Sequence, residues 1–269
     1  MAKGKEKKEE PKNENTDIVN FDYGDDLGAG FEDTTSEDFA LPFLGIVQDL
    51  TPAYKDKLIE GVELGMFLNS ATQELYSGEE GLKAVPCFRQ RKFIEWVPRK
   101  SGGGYVGEYE PTDPVVIKAK EESLEFGKYT VGANDLVETY IAYWVLLNEK
   151  DEPIGQVVTS FKSMNIKKYK NFMTTANQIR INGKPAPIFA HKYRLKTVSE
   201  TKPGGTFFNW DIRLDGKDAL ASRINPQGGL YQAAKMLHEM ARDGIAKVDH
   251  AKDDPASTSQ GDNEDNPEY

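Results

Sequence analysis

The sequence predicts a mainly β fold, antiparallel with minor α, on three observations. At least five runs alternate or concentrate β-branched and aromatic residues, and most of them face one another across polar turns. Only two long stretches space their apolar residues as a helix does. Strand–helix–strand alternation and internal repeats are both absent from the sequence, which disfavours a parallel sheet or a solenoid.

Order is expected to begin near Leu41, where Leu41, Phe43, Leu44, Ile46 and Val47 form the first apolar run. Thr51-Pro52 then opens a short polar helix reaching about Ile59. Residues 65–68 and 74–76 flank Asn69-Ser70-Ala71-Thr72 and read as a hairpin. Over residues 83–97, Phe88, Gln90, Lys92, Ile94 and Trp96 alternate with Arg89, Arg91, Phe93, Glu95 and Val97, the pattern of one long strand stopped by Pro98. Residues 139–147 and 154–161, joined by a polar turn, give the strongest hairpin signal. Ser163 is placed to cap a helix to about Ile179, with Ile166, Tyr169, Phe172 or Met173, Ala176 and Ile179 along its buried stripe. A second hairpin runs over 189–198 and 206–214 around Lys202-Pro203-Gly204-Gly205, and a last helix over 230–242 finds its C-terminal cap at Gly244.

The net charge of −10 is unevenly spread. Residues 81–100 carry +5 and residues 156–213 carry +9, and both stretches hold aromatic residues, as a polyanion-binding groove requires. Residues 249–269 hold seven acids, one lysine and no aliphatic core-former, so composition predicts a disordered acidic tail ending in Tyr269. Residues 1–38 read as a flexible acidic leader, leaving residues 39–248 as one domain. The lone Cys87 precludes an intrachain disulfide, and one cysteine with three scattered histidines makes no zinc spacing. No secretory signal or run of eighteen apolar residues is present, so a soluble protein of a reducing compartment without membrane contact is expected.

The candidate site is a set of cations and rings. Alternation sets Lys192, Arg194 and Lys196 on one face of the second hairpin, joined by Phe207, Asn209, Asp211 and Arg213, with Tyr193, Leu195, Phe208 and Trp210 on the other. Arg89, Arg91, Lys92, Phe93, Arg99, Lys100 and Tyr105 offer a second such mixture, and Lys167, Lys168 and Lys170 fall off the buried stripe of their helix. Cations that follow phosphates beside rings that stack on bases hold single strands without reading sequence. Signatures of catalysis are missing: there is no Gly-Lys-Ser/Thr phosphate loop, no Gly-x-Ser-x-Gly and no paired-histidine motif, so no catalytic residue, metal or cofactor is expected.

Leu41-Pro42-Phe43-Leu44, Gly65-Met66-Phe67-Leu68-Asn69, Val85-Pro86-Cys87, Glu95-Trp96-Val97-Pro98-Arg99 and the acidic tail with its aromatic end resemble the single-stranded-DNA-binding proteins of bacteriophage replication modules. The resemblance covers about half the chain. It implies an antiparallel OB-like β-barrel, here with long insertions and two helices, that coats single-stranded DNA in replication and recombination in the bacterial host cytoplasm. It also implies a tail, with Asp262, Glu264, Asp265, Glu268 and Tyr269, that contacts polymerase, primase-helicase or nuclease partners, and self-association is compatible with it. A strand-annealing recombination protein and a virion or scaffold protein are the competing expectations.

Overall fold

The computed structural model describes residues 29–30, 40–202 and 205–253. The chain divides into units Met1–Thr35 and Ser36–Tyr269, and the second carries the described strands and helices. Its elements are β1 (Ala40–Leu41), β2 (Leu44–Ile46), α1 (Pro52–Lys55), β3 (Phe67–Asn69), β4 (Leu75–Tyr76), β5 (Leu82–Trp96), β6 (Tyr105–Tyr109), α2 (Pro114–Glu122), β7 (Tyr129–Val131), β8 (Asn134–Leu147), β9 (Pro153–Lys162), α3 (Asn165–Gln178), β10 (Arg180–Ile181), β11 (Lys184–Pro185), β12 (Tyr193–Lys202), β13 (Gly205–Leu214), α4 (Gly229–Arg242) and β14 (Lys247–Val248). The mainly β, antiparallel class is as expected. The helices number four among the described residues, against two long ones and a short one read from the sequence.

One sheet of seven strands carries the molecule, in the order β13-β12-β5-β8-β7, with β6 added to β5 and β9 to β8. Successive side chains of a strand point to opposite faces. In β8, Ala142, Trp144 and Leu146 therefore join one core while Ile141, Tyr143, Val145 and Leu147 join another. Both faces are covered, which is why this strand is an unbroken apolar run. On the first face lie α3 and the small sheet β2-β3-β4, with Phe67 stacked on Trp210 at 5.2 Å. The Gln48 side chain brackets the Phe208 backbone, donating to its carbonyl at 2.6 Å and accepting from its N–H at 2.9 Å, which ties β13 to the chain after β2. On the second face lie α4 and the 188–190 turn, where Ala234, Leu237 and Ala241 are buried. A third core under α2 holds Phe93, Val116 and Leu136.

Strand β5 departs from strict alternation. Its pairing with β8 shifts between Pro86 and Phe88, leaving Cys87 as an extra residue. Proline has no N–H for the ladder and is tolerated at such a bulge. The opposite edge of β5 pairs with β12 only over Leu82–Ala84 and with β6 only over Phe93–Trp96, so the stretch between has no strand beside it. No sheet among the described residues closes on itself.

Two local expectations are corrected. Ser163, expected as the cap of α3, sits at φ 44° in the turn before the helix, and Met164 takes the cap position without a side-chain hydrogen bond. Residues 249–253, assigned by composition to the tail, pack on the body: a short 3₁₀ turn buries His250 and Asp253. Specific polar partners achieve there what aliphatic burial does elsewhere. Asp253 accepts from Ser160 Oγ at 2.8 Å and pairs with the Lys162 ammonium at 2.7 Å, and His250 stacks on Tyr105.

Candidate nucleic-acid interface

The carboxylates beside the candidate cations sort them into two kinds. On β12, Lys192 reaches Asp151 at 2.5 Å, and Arg194 reaches Asp215 at 3.0 Å and Glu149 at 3.1 Å. Lys83 joins the cluster through Asp151 at 3.0 Å. Three cations face three acids in a half-buried patch, so the stripe read as a phosphate track is neutralised from within. Hydrogen bonds from Arg194 hold the Glu149 carboxyl below its ordinary value. Burial pushes Asp151 up, but hydrogen bonds from Lys192 and Lys83 outweigh it and leave Asp151 depressed. The acids come from the β8–β9 turn and the end of β13, which no local spacing could link to β12.

The same sorting holds elsewhere. Arg91 pairs with Glu138 at 2.7 Å and Lys92 with Glu110 at 2.5 Å and Glu108 at 3.2 Å. Lys168 pairs with Glu200 at 2.5 Å, and the exposed Arg213 with Asp211 at 2.9 Å. Lys196 has no ion pair with a described carboxylate and donates instead to the Glu79 carbonyl. Two of the three expected ring platforms are corrected: Phe93 is 0 % exposed in the core under α2, and Phe207 is 7 % exposed beneath Lys202. Asn209 is buried as well, its side chain accepting from the Trp210 N–H instead of facing solvent.

A second kind of cation has no ion pair with a described carboxylate. Arg89 is exposed on β5, beside the Tyr169 hydroxyl. Lys167 and Lys170 are exposed on α3, and Arg180 and Lys184 are exposed in the β10–β11 hairpin that follows it. Five uncompensated positive charges thus border one helix. Arg99 and Lys100 form a smaller exposed pair beside Gly102, Gly103 and Tyr105, over a cleft floored by Trp96. Sequence spacing supplied the members on β5 and α3; it gave no means of telling them from the paired ones.

Trp96 lies over a buried charge. Lys162, 3 % exposed, stands 4.9 Å from its ring centroid and 2.7 Å from Asp253, in ion-pair rather than hydrogen-bond geometry. Beside it the His250 ring meets Glu108 at 3.1 Å, and this contact, with Lys92 nearby, pulls the Glu108 carboxyl down to about 2. The tail residues Asp262, Glu264, Asp265, Glu268 and Tyr269 lie outside the described residues.

Cys87 and Ser222, the hydroxyl beside His191, are both buried. Burial pushes the Cys87 thiol up, the direction of an unreactive packing residue. Ser222 lies 3.1 Å from His191 Nδ1, but it is wholly buried and donates to the Ala219 carbonyl. Among the described residues no cluster of His, Cys, Asp or Glu is arranged to hold a metal ion, and no helix is long and apolar enough to cross a membrane.

Fold and site together define a mainly β protein with a locally uncompensated basic surface. The chain belongs to the Pam3 phage gp34-like protein family, whose model matches residues 12–247. No curated protein and no solved structure matches it.

Proposed function

We propose that the protein binds and coats single-stranded DNA during phage replication and recombination, as a binding protein and not as an enzyme. The observation that carries this reading is the gathering around α3 of five cations, Arg89, Lys167, Lys170, Arg180 and Lys184, none of which has an ion pair with a described carboxylate. Uncompensated cations bind phosphate by releasing condensed counterions, whereas paired ones must first give up their carboxylates. The reading includes the OB-like fold implied by the sequence resemblance, in the partly open form that such sheets take. It also includes the host cytoplasm as the place of action, self-association along the strand, and a tail that recruits polymerase, primase-helicase or nuclease.

A fluorescence titration with poly-dT, duplex DNA and single-stranded RNA at two salt concentrations tests it. The expected result is tighter binding to single-stranded DNA, falling steeply as salt rises. Equal affinity for duplex, or binding indifferent to salt, overturns the proposal.

A further inference from the structure

A cleft of about 380 Å³ opens between β5, α3, the β10–β11 hairpin and α4, lined by Phe88, Arg89, Met173, Asn177, Pro185 and His238 among others. It owes its position to the bulge at Cys87 and to the strandless edge of β5 between Ala84 and Phe93, which leave room for α3 and α4 to close over the sheet without filling it. Its size falls at the low end of ligand pockets, about 300–1,000 Å³.

The lining is that of a base pocket. Phe88 meets the His238 ring edge-on at 5.6 Å, and Phe189 lies tilted against it at 5.3 Å, so the imidazole is held between two aromatic rings. His238 Nδ1 lies 2.9 Å from the Cys87 carbonyl, which only accepts, so Nδ1 carries the proton and Nε2 of the neutral ring keeps an acceptor lone pair. Every nucleobase offers at least one N–H donor on its pairing edge, which suits binding without strong base preference. Met173 adds a polarizable thioether, which packs well on rings.

The charge at the rim is complementary to a phosphodiester. No carboxylate lines the cleft, Arg89 does, and Lys184 immediately precedes the lining Pro185. On α3, Lys170 lies three residues before Met173 and seven before Asn177, a spacing that puts all three on one strip of the helix.

We propose that this cleft accepts a single unstacked base of bound single-stranded DNA, with Arg89, Lys170 and Lys184 on the flanking phosphates. The proposal rests on the single-stranded-DNA reading and gives that interface a base-binding subsite. The test uses the full chain and a 15-nucleotide dT oligomer carrying one central 5-iododeoxyuridine. Ultraviolet cross-links should map to Phe88, Met173 or His238. Asn177→Phe, at an exposed position on the wall, should fill the cleft and weaken binding about tenfold, the scale of one base stack. Its melting temperature is measured alongside; should it drop, the cross-link map on the unaltered protein decides alone. Salt-sensitive binding with cross-links elsewhere overturns the cleft and leaves the DNA-binding reading standing. No binding of the oligomer at low salt overturns both.

Discussion

At the scale of the residue, pairing decides what a cation is for. Alternation along β12 places Lys192 and Arg194 on an open face, ready for phosphate; in the fold they hold Asp151, Asp215 and Glu149 instead. Replacing both with alanine leaves Lys83 as the one cation of the cluster facing Asp151, Asp215 and Glu149, so Lys192→Ala with Arg194→Ala should lower stability by about 2 to 3 kcal/mol and leave DNA affinity nearly unchanged. Chemical denaturation beside an oligo-dT titration checks this; intact stability with weakened binding would restore the open-face assignment. Acid sensitivity follows from Glu108, whose folded carboxyl lies near 2 against an ordinary 4.5. A depressed carboxyl contributes stability that is complete above its unfolded value and is lost as pH falls through the folded one. Glu108→Gln should therefore flatten the stability profile between about pH 4.5 and 2, as read by denaturation at several pH values. An unchanged slope there would show that the His250 contact does not survive in solution.

At the scale of the element, legibility followed the length and periodicity of each run. Strands β5, β8, β9, β12 and β13 and helices α3 and α4 were all readable, because each has enough apolar residues in one period to be recognised. Helix α2 was not: its Val115, Val116 and Ile117 look like a strand, and only Asp113, whose side chain accepts from the Val115 N–H, and Pro114 betray a helix start. Strands β6 and β7 are too short to show a period, and the bulge at Cys87 leaves no mark beyond Pro86. The site fared worse than the fold, since the partners that neutralise Arg91, Lys92 and Lys168 come from other elements. Substituting Lys167, Lys170, Arg180 and Lys184 together with alanine should leave the melting temperature within a degree or two, all four being exposed, and should reduce the slope of log affinity against log salt by about 0.7 for each phosphate no longer neutralised. Titration at four salt concentrations measures this. An unaltered slope would move the interface away from α3.

At the scale of the whole molecule, the acidic C-terminal segment divides at Asp253. Residues 249–253 belong to the folded body through Lys162, Ser160, Tyr105 and Glu108. Residues 254–269 carry five acids and no cation. Removing 254–269 should tighten DNA binding at low salt by ending competition with phosphate, an effect that fades as the screening length shortens to about 8 Å at physiological salt, and should not change stability. Removing 249–269 instead leaves Lys162 buried without its carboxylate, at a cost of about 3–5 kcal/mol. Melting curves and oligo-dT titrations of the two truncations separate the parts; equal melting temperatures would mean that Asp253 anchors nothing.

The parallel pairing of Ala40 with Lys247 and of Leu41 with Val248 sets the first and last strands of the body about 5 Å apart. A body whose first and last strands lie side by side can be rejoined there and cut elsewhere. A circular permutant that joins Asp253 to Ala40 by a glycine-rich linker long enough to run back along the parallel strands, and opens between Gly102 and Gly103, where nothing lies within 4 Å of either added Cβ, should keep every strand pairing of the large sheet. The order in which ribosomes deliver the strands would change while the product stayed the same, so the permutant offers a way to ask whether this sheet assembles outward from the β5–β8 pair or in the order of its synthesis.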